Sequence, residues 1–208
     1  VTEDTPRQNA ESPYARTKQI GEDILTDVAL GNPNINIVAL RYFNPAGAHE
    51  SALIGESPRN IANNLVPVIT EAGIGKRREV VIFGDDYDTR DGSCVRDYIH
   101  VSDIAHAHTL AVQYLIDRKN DNNYELFNLG IGEGVTVLEA VQAFEKVNNV
   151  ALNYRIGARR PGDVVAVFAN NTKVKQRLGW NPKYNIDDNR RTAWACEKRR
   201  SKAVAELV

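Results

Sequence analysis

Apolar residues recur at helical spacing over the first long segment, Tyr14–Leu30, where Ile20, Ile24, Leu25 and Val28 share one side and are expected to be buried. Ser12 and Pro13 suit the cap and first turn of that helix, and Gly31-Asn32-Pro33 stops it. The pattern becomes continuous over Ile35–Arg41, which predicts a strand covered on both faces, as in a parallel sheet lined by helices. Helix and strand periods alternate from there. A helix is predicted near Ile61–Ala72, a strand at Val80–Phe83, a strand or turn at Cys94–Ile99, a helix at Val101–Ile116 and a strand at Tyr124–Leu129. A helix at Val135–Val147, a strand at Ala151–Ile156 and helices near Thr172–Leu178 and Asp187–Arg199 complete an α/β order.

Composition excludes more than it assigns. With 26 Lys and Arg against 27 Asp and Glu in 208 residues, there is no electrostatic case for binding nucleic acid or a membrane surface. No apolar run approaches the ~18 residues of a membrane span, and no signal peptide opens the sequence. Cys94 and Cys196 lie far apart and read as free thiols of a reducing, cytoplasmic compartment, which makes the Asn170-Asn171-Thr172 sequon a chance match. The abrupt start at Val1 and the lack of any methionine lead us to expect a chain that is not a complete translation product.

Candidate chemistry begins on the first helix. Tyr14 and Lys18 stand one turn apart on one face. An ammonium within ~4–6 Å of a phenol favours the phenolate, so the pair reads as a proton-transfer device. An ordinary core-edge tyrosine with a solvated lysine fits the same spacing. Ligands of parallel sheets bind beyond the carboxyl ends of the strands, which puts Tyr42–Gly47 in a site; a plain Asn-Pro turn is the alternative.

Tyr14-x-x-x-Lys18 is followed by Arg41-Tyr42-Phe43-Asn44-Pro45-Ala46-Gly47, Asn63-Asn64-Leu65, Ile82-Phe83-Gly84, Val95-Arg96-Asp97-Tyr98-Ile99-His100 and Arg159-Arg160-Pro161-Gly162-Asp163. In this order the motifs resemble the UDP-hexose 4-epimerase family of the extended short-chain dehydrogenase/reductases, from about Thr2 to Trp194. The resemblance implies the tail end of a Rossmann-type NAD-binding domain at 1–44. It implies a smaller mixed α/β domain for a UDP-sugar at 45–208, with about 94–130 crossing back to the first layer. It implies an isomerase that interconverts UDP-galactose and UDP-glucose with bound NAD, as in galactose metabolism. Tyr14 would move the proton of the sugar 4-hydroxyl, Lys18 would hold the nicotinamide ribose, and Tyr42 would contact the nicotinamide side. Arg96 and Arg160 would take the diphosphate, guanidinium forks being matched to phosphate oxygens. Phe43, Asn44, Asn63, Asn64 and Leu65 would line the site, Val81, Ile82 and Phe83 would hold uracil, and Asp163 would accept from the ribose. Val167 would border the far end of the sugar, where its intermediate size predicts some tolerance of N-acetylated sugars. A homodimer is a candidate assembly.

The family's Gly-rich dinucleotide turn and catalytic Ser or Thr have no counterpart in Val1–Glu11. A truncated chain that binds UDP-sugar weakly without turnover is therefore one alternative, and a sugar-nucleotide 4,6-dehydratase relative is another. Gly130-Ile131-Gly132-Glu133-Gly134 has the wrong spacing for that turn, and a capping box of Thr136 and Glu139 explains it better. No metal site is expected: Arg90 interrupts the acidic run Asp85–Asp91, and His106 and His108 are two apart on a helix. For Arg96, an ion pair with Asp97 competes with phosphate contact.

Overall fold

The computed structural model describes residues 1–205. Helix α1 (Pro13–Gly31) starts where the Ser12 hydroxyl accepts from the Ala15 amide, with Pro13 in the first turn. Strands β1 (Ile37–Tyr42) and β2 (Asn44–Ala46) follow, then α2 (Leu65–Gly73), β3 (Val80–Phe83), β4 (Val95–Arg96), β5 (Tyr98–His100) and α3 (Val101–Ile116). The order closes with β6 (Tyr124–Leu129), β7 (Val135–Thr136), α4 (Val137–Asn148), β8 (Tyr154–Gly157), β9 (Ala166–Val167), α5 (Thr172–Leu178) and α6 (Ile186–Ala205).

Pairing is parallel for β1 with β6, β2 with β5, β3 with β8 and β4 with β9, while β7 runs antiparallel to β4. β1 and β2 are nearly one strand that changes partner at Phe43. Tyr42 stands beside Leu129 of β6, and the Phe43 amide still donates to the Leu129 carbonyl at 3.1 Å. The next amide, of Asn44, donates instead to the Asp97 carbonyl at 2.9 Å, and Asn44–Ala46 run beside Tyr98–His100. The sheet parts there, and in open parallel sheets such a parting is where a ligand crevice forms.

Two apolar clusters hold the flanks. One gathers Ile99, Phe127, Leu129, Tyr114 and Trp180; the Trp180 indole is fully buried and donates to the Asp103 carbonyl at 2.9 Å. The other joins α2, α4, β3 and α6 through Ile69, Val80, Ile82, Val141 and Phe144, with Trp194 edge-on to Phe144 at 5.4 Å. Between them Asp97 is fully buried and accepts the amides of Ile131, Gly132 and Ala169 at 2.8, 3.1 and 3.0 Å. The Gly-rich turn thus wraps a carboxylate of its own chain. A Cβ on Gly130 would stand 2.2 Å from Asp97 Oδ2, so the turn needs glycine for close approach. The capping box of Thr136 and Glu139 forms as predicted.

One expectation about burial fails. Ile20, Ile24, Leu25 and Val28 of α1 are 42%, 55%, 37% and 41% exposed. The helix meets β1 and β6 through its other side, Ala15, Gln19, Glu22, Thr26 and Ala29, and Glu22 is pinned there by a two-pronged bond from Arg41 at 2.5 Å. β1 carries a helix on each face, with α1 meeting Arg41 and α3 meeting Tyr42, and is half-buried along most of its length, with β6 as its partner among the described residues.

Candidate active site

A cleft of about 1220 Å³ opens along the parting of the sheet. Its lining includes Tyr14, 71% exposed on the first turn of α1, with Lys18 Nζ 5.1 Å from its ring centroid. The helical repeat brings phenol and ammonium together on the open side of the helix, as the spacing requires.

Phe43–Gly47 line the adjoining wall. Tyr42 does not, because its side chain is turned to His108 of α3. Its hydroxyl lies 2.8 Å from His108 Nε2, and His108 Nδ1 lies 2.9 Å from the Ile104 carbonyl, so Nδ1–H donates to the carbonyl and Nε2 accepts from the phenol. Burial pushes the Tyr42 phenol up.

Asn63, Asn64 and Leu65 enter the cleft where α2 begins. Asn64 occupies the N-cap position without making the cap bond; its amide donates instead to Glu56 Oε1 at 2.8 Å. The commonest use of an N-cap asparagine is given up, which leaves the side chain turned to the site. Val81 and Phe83 line the cleft, whereas the Ile82 side chain is 1% exposed in the core beside Ile69 and Val141.

Elsewhere in the lining two arginines converge on one carboxylate. Arg160 reaches Asp163 with both Nη2 and Nε, at 2.9 and 3.2 Å, and Arg96 Nη2 stands 3.3 Å from the same acid. The Asp163 hydrogen bonds hold Arg160 above its ordinary value, against desolvation. Arg96 is further fixed by the Val164 and Val95 carbonyls at 2.6 and 2.8 Å. Its partner is therefore not Asp97, whose oxygens are spent on the glycine turn. Two cations around one anion leave a net positive patch, suited to a diphosphate. Val167 stands beside Arg96 in the ladder and is half-buried, outside the cleft lining.

Sequence reasoning missed Glu56, Arg77, Cys94 and Tyr98, all of which line the cleft. Tyr98 was within reach: two residues from Arg96 along an extended segment, it shares that residue's side. Among the described residues no group of three or more His, Cys, Asp or Glu could hold a metal ion.

The model of the GDP-mannose 4,6-dehydratase family matches residues 1–192. A UDP-glucose 4-epimerase of Bifidobacterium longum subsp. longum is 45% identical over 188 residues, 90% of this chain and 54% of that protein. One from Haemophilus influenzae is 42% identical over 206 residues, 99% of this chain and 60% of the relative. A crystal structure of a UDP-glucose-4-epimerase from Stenotrophomonas maltophila, with bound NAD and formylated UDP-arabinopyranose, superposes with a TM-score of 0.93 at 44% identity, covering 98% of this chain and 59% of that one. The chain thus spans a little over half the length of the relatives it matches, and its α/β architecture is that of Rossmann-type epimerases. It belongs to the family that the GDP-mannose 4,6-dehydratase model describes, within the extended short-chain dehydrogenase/reductases, and is homologous to UDP-glucose 4-epimerases over nearly its whole length.

Proposed function

We propose that this chain carries the proton-transfer pair and the nucleotide-sugar wall of a UDP-hexose 4-epimerase that interconverts UDP-galactose and UDP-glucose. The observation that carries the reading is one cleft lined both by Tyr14, with the Lys18 ammonium beside its ring, and by the Arg96–Asp163–Arg160 cluster. Tyr14 and Lys18 fit the nicotinamide-ribose end of NAD, since an exposed phenol with an ammonium beside it matches ribose hydroxyls. When bound, NAD supplies the acceptor and donor of the C4 hydride. Tyr14 takes the proton of the sugar 4-hydroxyl and gives it back, with the Lys18 ammonium beside its ring. Arg96 and Arg160 bind the diphosphate, Asp163 accepts from the ribose, and Phe43, Asn44, Asn63, Asn64 and Leu65 flank the nucleotide sugar. Val81 and Phe83 pack on uracil, with the Ile82 backbone between them. Residues 1–44 then belong to the nucleotide layer, and the β1–β6 pairing supports a return of 94–130 to it.

Tyr14→Phe is expected to lower conversion of UDP-galactose, in the presence of NAD, about 10²–10⁴-fold, the usual range for a lost acid–base group, with UDP binding unchanged. Retained turnover would sink the assignment. A second reading, a UDP-sugar binder without turnover, is favoured by the Gly-rich turn being occupied by Asp97 rather than free for a pyrophosphate. UDP affinity with no conversion in NAD would decide for it; a 4-keto-6-deoxy product would instead mark a dehydratase.

The exposed apolar stripe of α1 supports a homodimer through that face. Sedimentation at micromolar concentration is expected to give twice the chain mass; a monomer there removes the proposal. The unbridged Cys94 and Cys196 support a cytoplasmic setting, and among the described residues no helix is long and apolar enough to cross a membrane. A Cys94 or Cys196 disulfide found in cell extracts would count against that setting.

A further inference from the structure

The cleft wall that follows β2 is anchored by a residue that does not itself line the cleft. His100 is fully buried where β5 meets α3, and its Nδ1 accepts from the Ser102 amide at 3.1 Å. A backbone N–H can only donate, so Nδ1 carries no proton. On the other side of the ring, Nε2 lies 3.1 Å from the Thr192 hydroxyl of α6. That hydroxyl gives its one proton to the Asp188 carbonyl at 2.8 Å and accepts from the Ala48 amide at 3.1 Å. What remains is a lone pair, which accepts Nε2–H. Both edges of the ring therefore demand the same neutral tautomer.

The wall fits closely against this arrangement. Gly47 has φ +80, and a Cβ on it would stand 2.6 Å from His100 Cδ2 and 3.0 Å from Thr192 Oγ1. Tyr184 stacks on the imidazole at 4.0 Å, and its own hydroxyl donates to Glu50 at 2.9 Å. Asn44, Gly47, His49 and Ile54, all in the same segment, line the cleft.

We propose that His100, acting through Thr192, is a positioning residue that holds the Gly47–Ala48 turn of the cleft wall in its binding shape, and that a proton on the imidazole releases that wall. The proposal rests on the nucleotide-sugar reading above and adds to it a group that touches neither substrate nor cofactor. A second ring proton would set an Nδ1–H donor against the Ser102 donor. Asp103 of α3, Asp188 of α6 and Glu50 of the wall favour that proton and His49 opposes it. Burial outweighs them and keeps the ring neutral, below its ordinary 6.5.

The test uses the full chain with UDP-glucose, whose phosphates are both esterified and do not titrate near neutrality. Affinity is expected to fall as pH drops below 6.5 in the wild type. In Thr192→Val it is expected to be about tenfold weaker at pH 7, the size of one lost buried hydrogen bond, and flat with pH, while Thr192→Ser restores both. Imidazole ¹⁵N spectra should show His100 protonated at Nε2 and bare at Nδ1. Exchange of the Ala48 amide should be faster in Thr192→Val than in Thr192→Ser. An Nδ1–H tautomer, unchanged Ala48 exchange, or a pH profile shared by wild type and Thr192→Val overturns the proposal. If the wild type binds no UDP-glucose at any pH, the substrate reading fails, and the spectra and exchange rates still decide on the anchor.

Discussion

Arg190 is the residue whose chemistry is hardest to reconcile with its surroundings. It is fully buried, its Nε donates to the Ala140 carbonyl at 3.2 Å, and both terminal nitrogens lack a hydrogen-bond partner among the described residues. The guanidinium lies 4.6 Å from the Tyr98 ring centroid, which offsets only part of what a buried cation loses with its water. Burial draws its pKa down to about 10. At neutral pH the fold thus holds a charge it disfavours. Replacing even a buried ion pair by apolar side chains of similar volume is often neutral or stabilising by about 1–4 kcal/mol. Arg190→Met is expected to raise the thermal midpoint, by about 2–4 °C for each kcal/mol in a chain of this length. A lower midpoint would mean that the terminal nitrogens have partners, such as ordered water. At this same scale the site was only partly legible. Tyr14, Asn44, Asn64, Phe83, Arg96, Arg160 and Asp163 line the cleft, and each lies in a short motif whose chemistry reads locally. Tyr42 and Ile82 sit in the same motifs with side chains turned the other way, because a motif names positions while packing decides their facing. Glu56 and Arg77 reach the cleft through tertiary contacts, to Asn64 and to the Ala62 carbonyl, that no spacing announces.

Elements with local start and stop signals were read to the residue. β3, α3, β6 and α5 match their predicted bounds, since each joins a clear period to a cap or turn at both ends. The helix predicted from Val135 begins at Val137, because its capping residue Thr136 and the residue before it form β7 against β4. β9 has no period to detect at two residues in length and exists because Ala166–Val167 lie beside Val95–Arg96. β8 starts at Tyr154, three residues later than the apolar run, where its partner β3 begins. The apolar stripe of α1 was read correctly as one face and wrongly as a buried one. Periodicity tells which residues travel together, but the packing partner determines which side is covered, and here β1 and β6 meet the side carrying Glu22.

Across the whole molecule, acid should act in two stages with different causes. The depressed value of His100 means that the folded chain holds fewer protons than the unfolded one between that value and 6.5. Stability therefore rises with pH through this window and is lost as pH falls, with a slope no steeper than about 1.4 kcal/mol per pH unit for a single proton. Glu22, held down by Arg41, and Glu139, held down by Arg90, contribute stability that is present above 4.5 and is lost as pH falls further. Glu197 joins them: burial raises it, but the bonds from Lys76 and Arg200 prevail. Asp97 works in the opposite sense, because burial raises it and the fold keeps a proton that the unfolded chain releases above 3.8, so it blunts the second stage. The thermal midpoint of the wild type is thus expected to decline gently as pH falls from 6.5 to the lowered value of His100 and more steeply below 4.5. His100→Gln, less stable at pH 7 for want of the same packing, should be level across the first window and fall with the wild type in the second. Parallel curves for the two proteins just below pH 6.5 would show that the imidazole is not the group that titrates there.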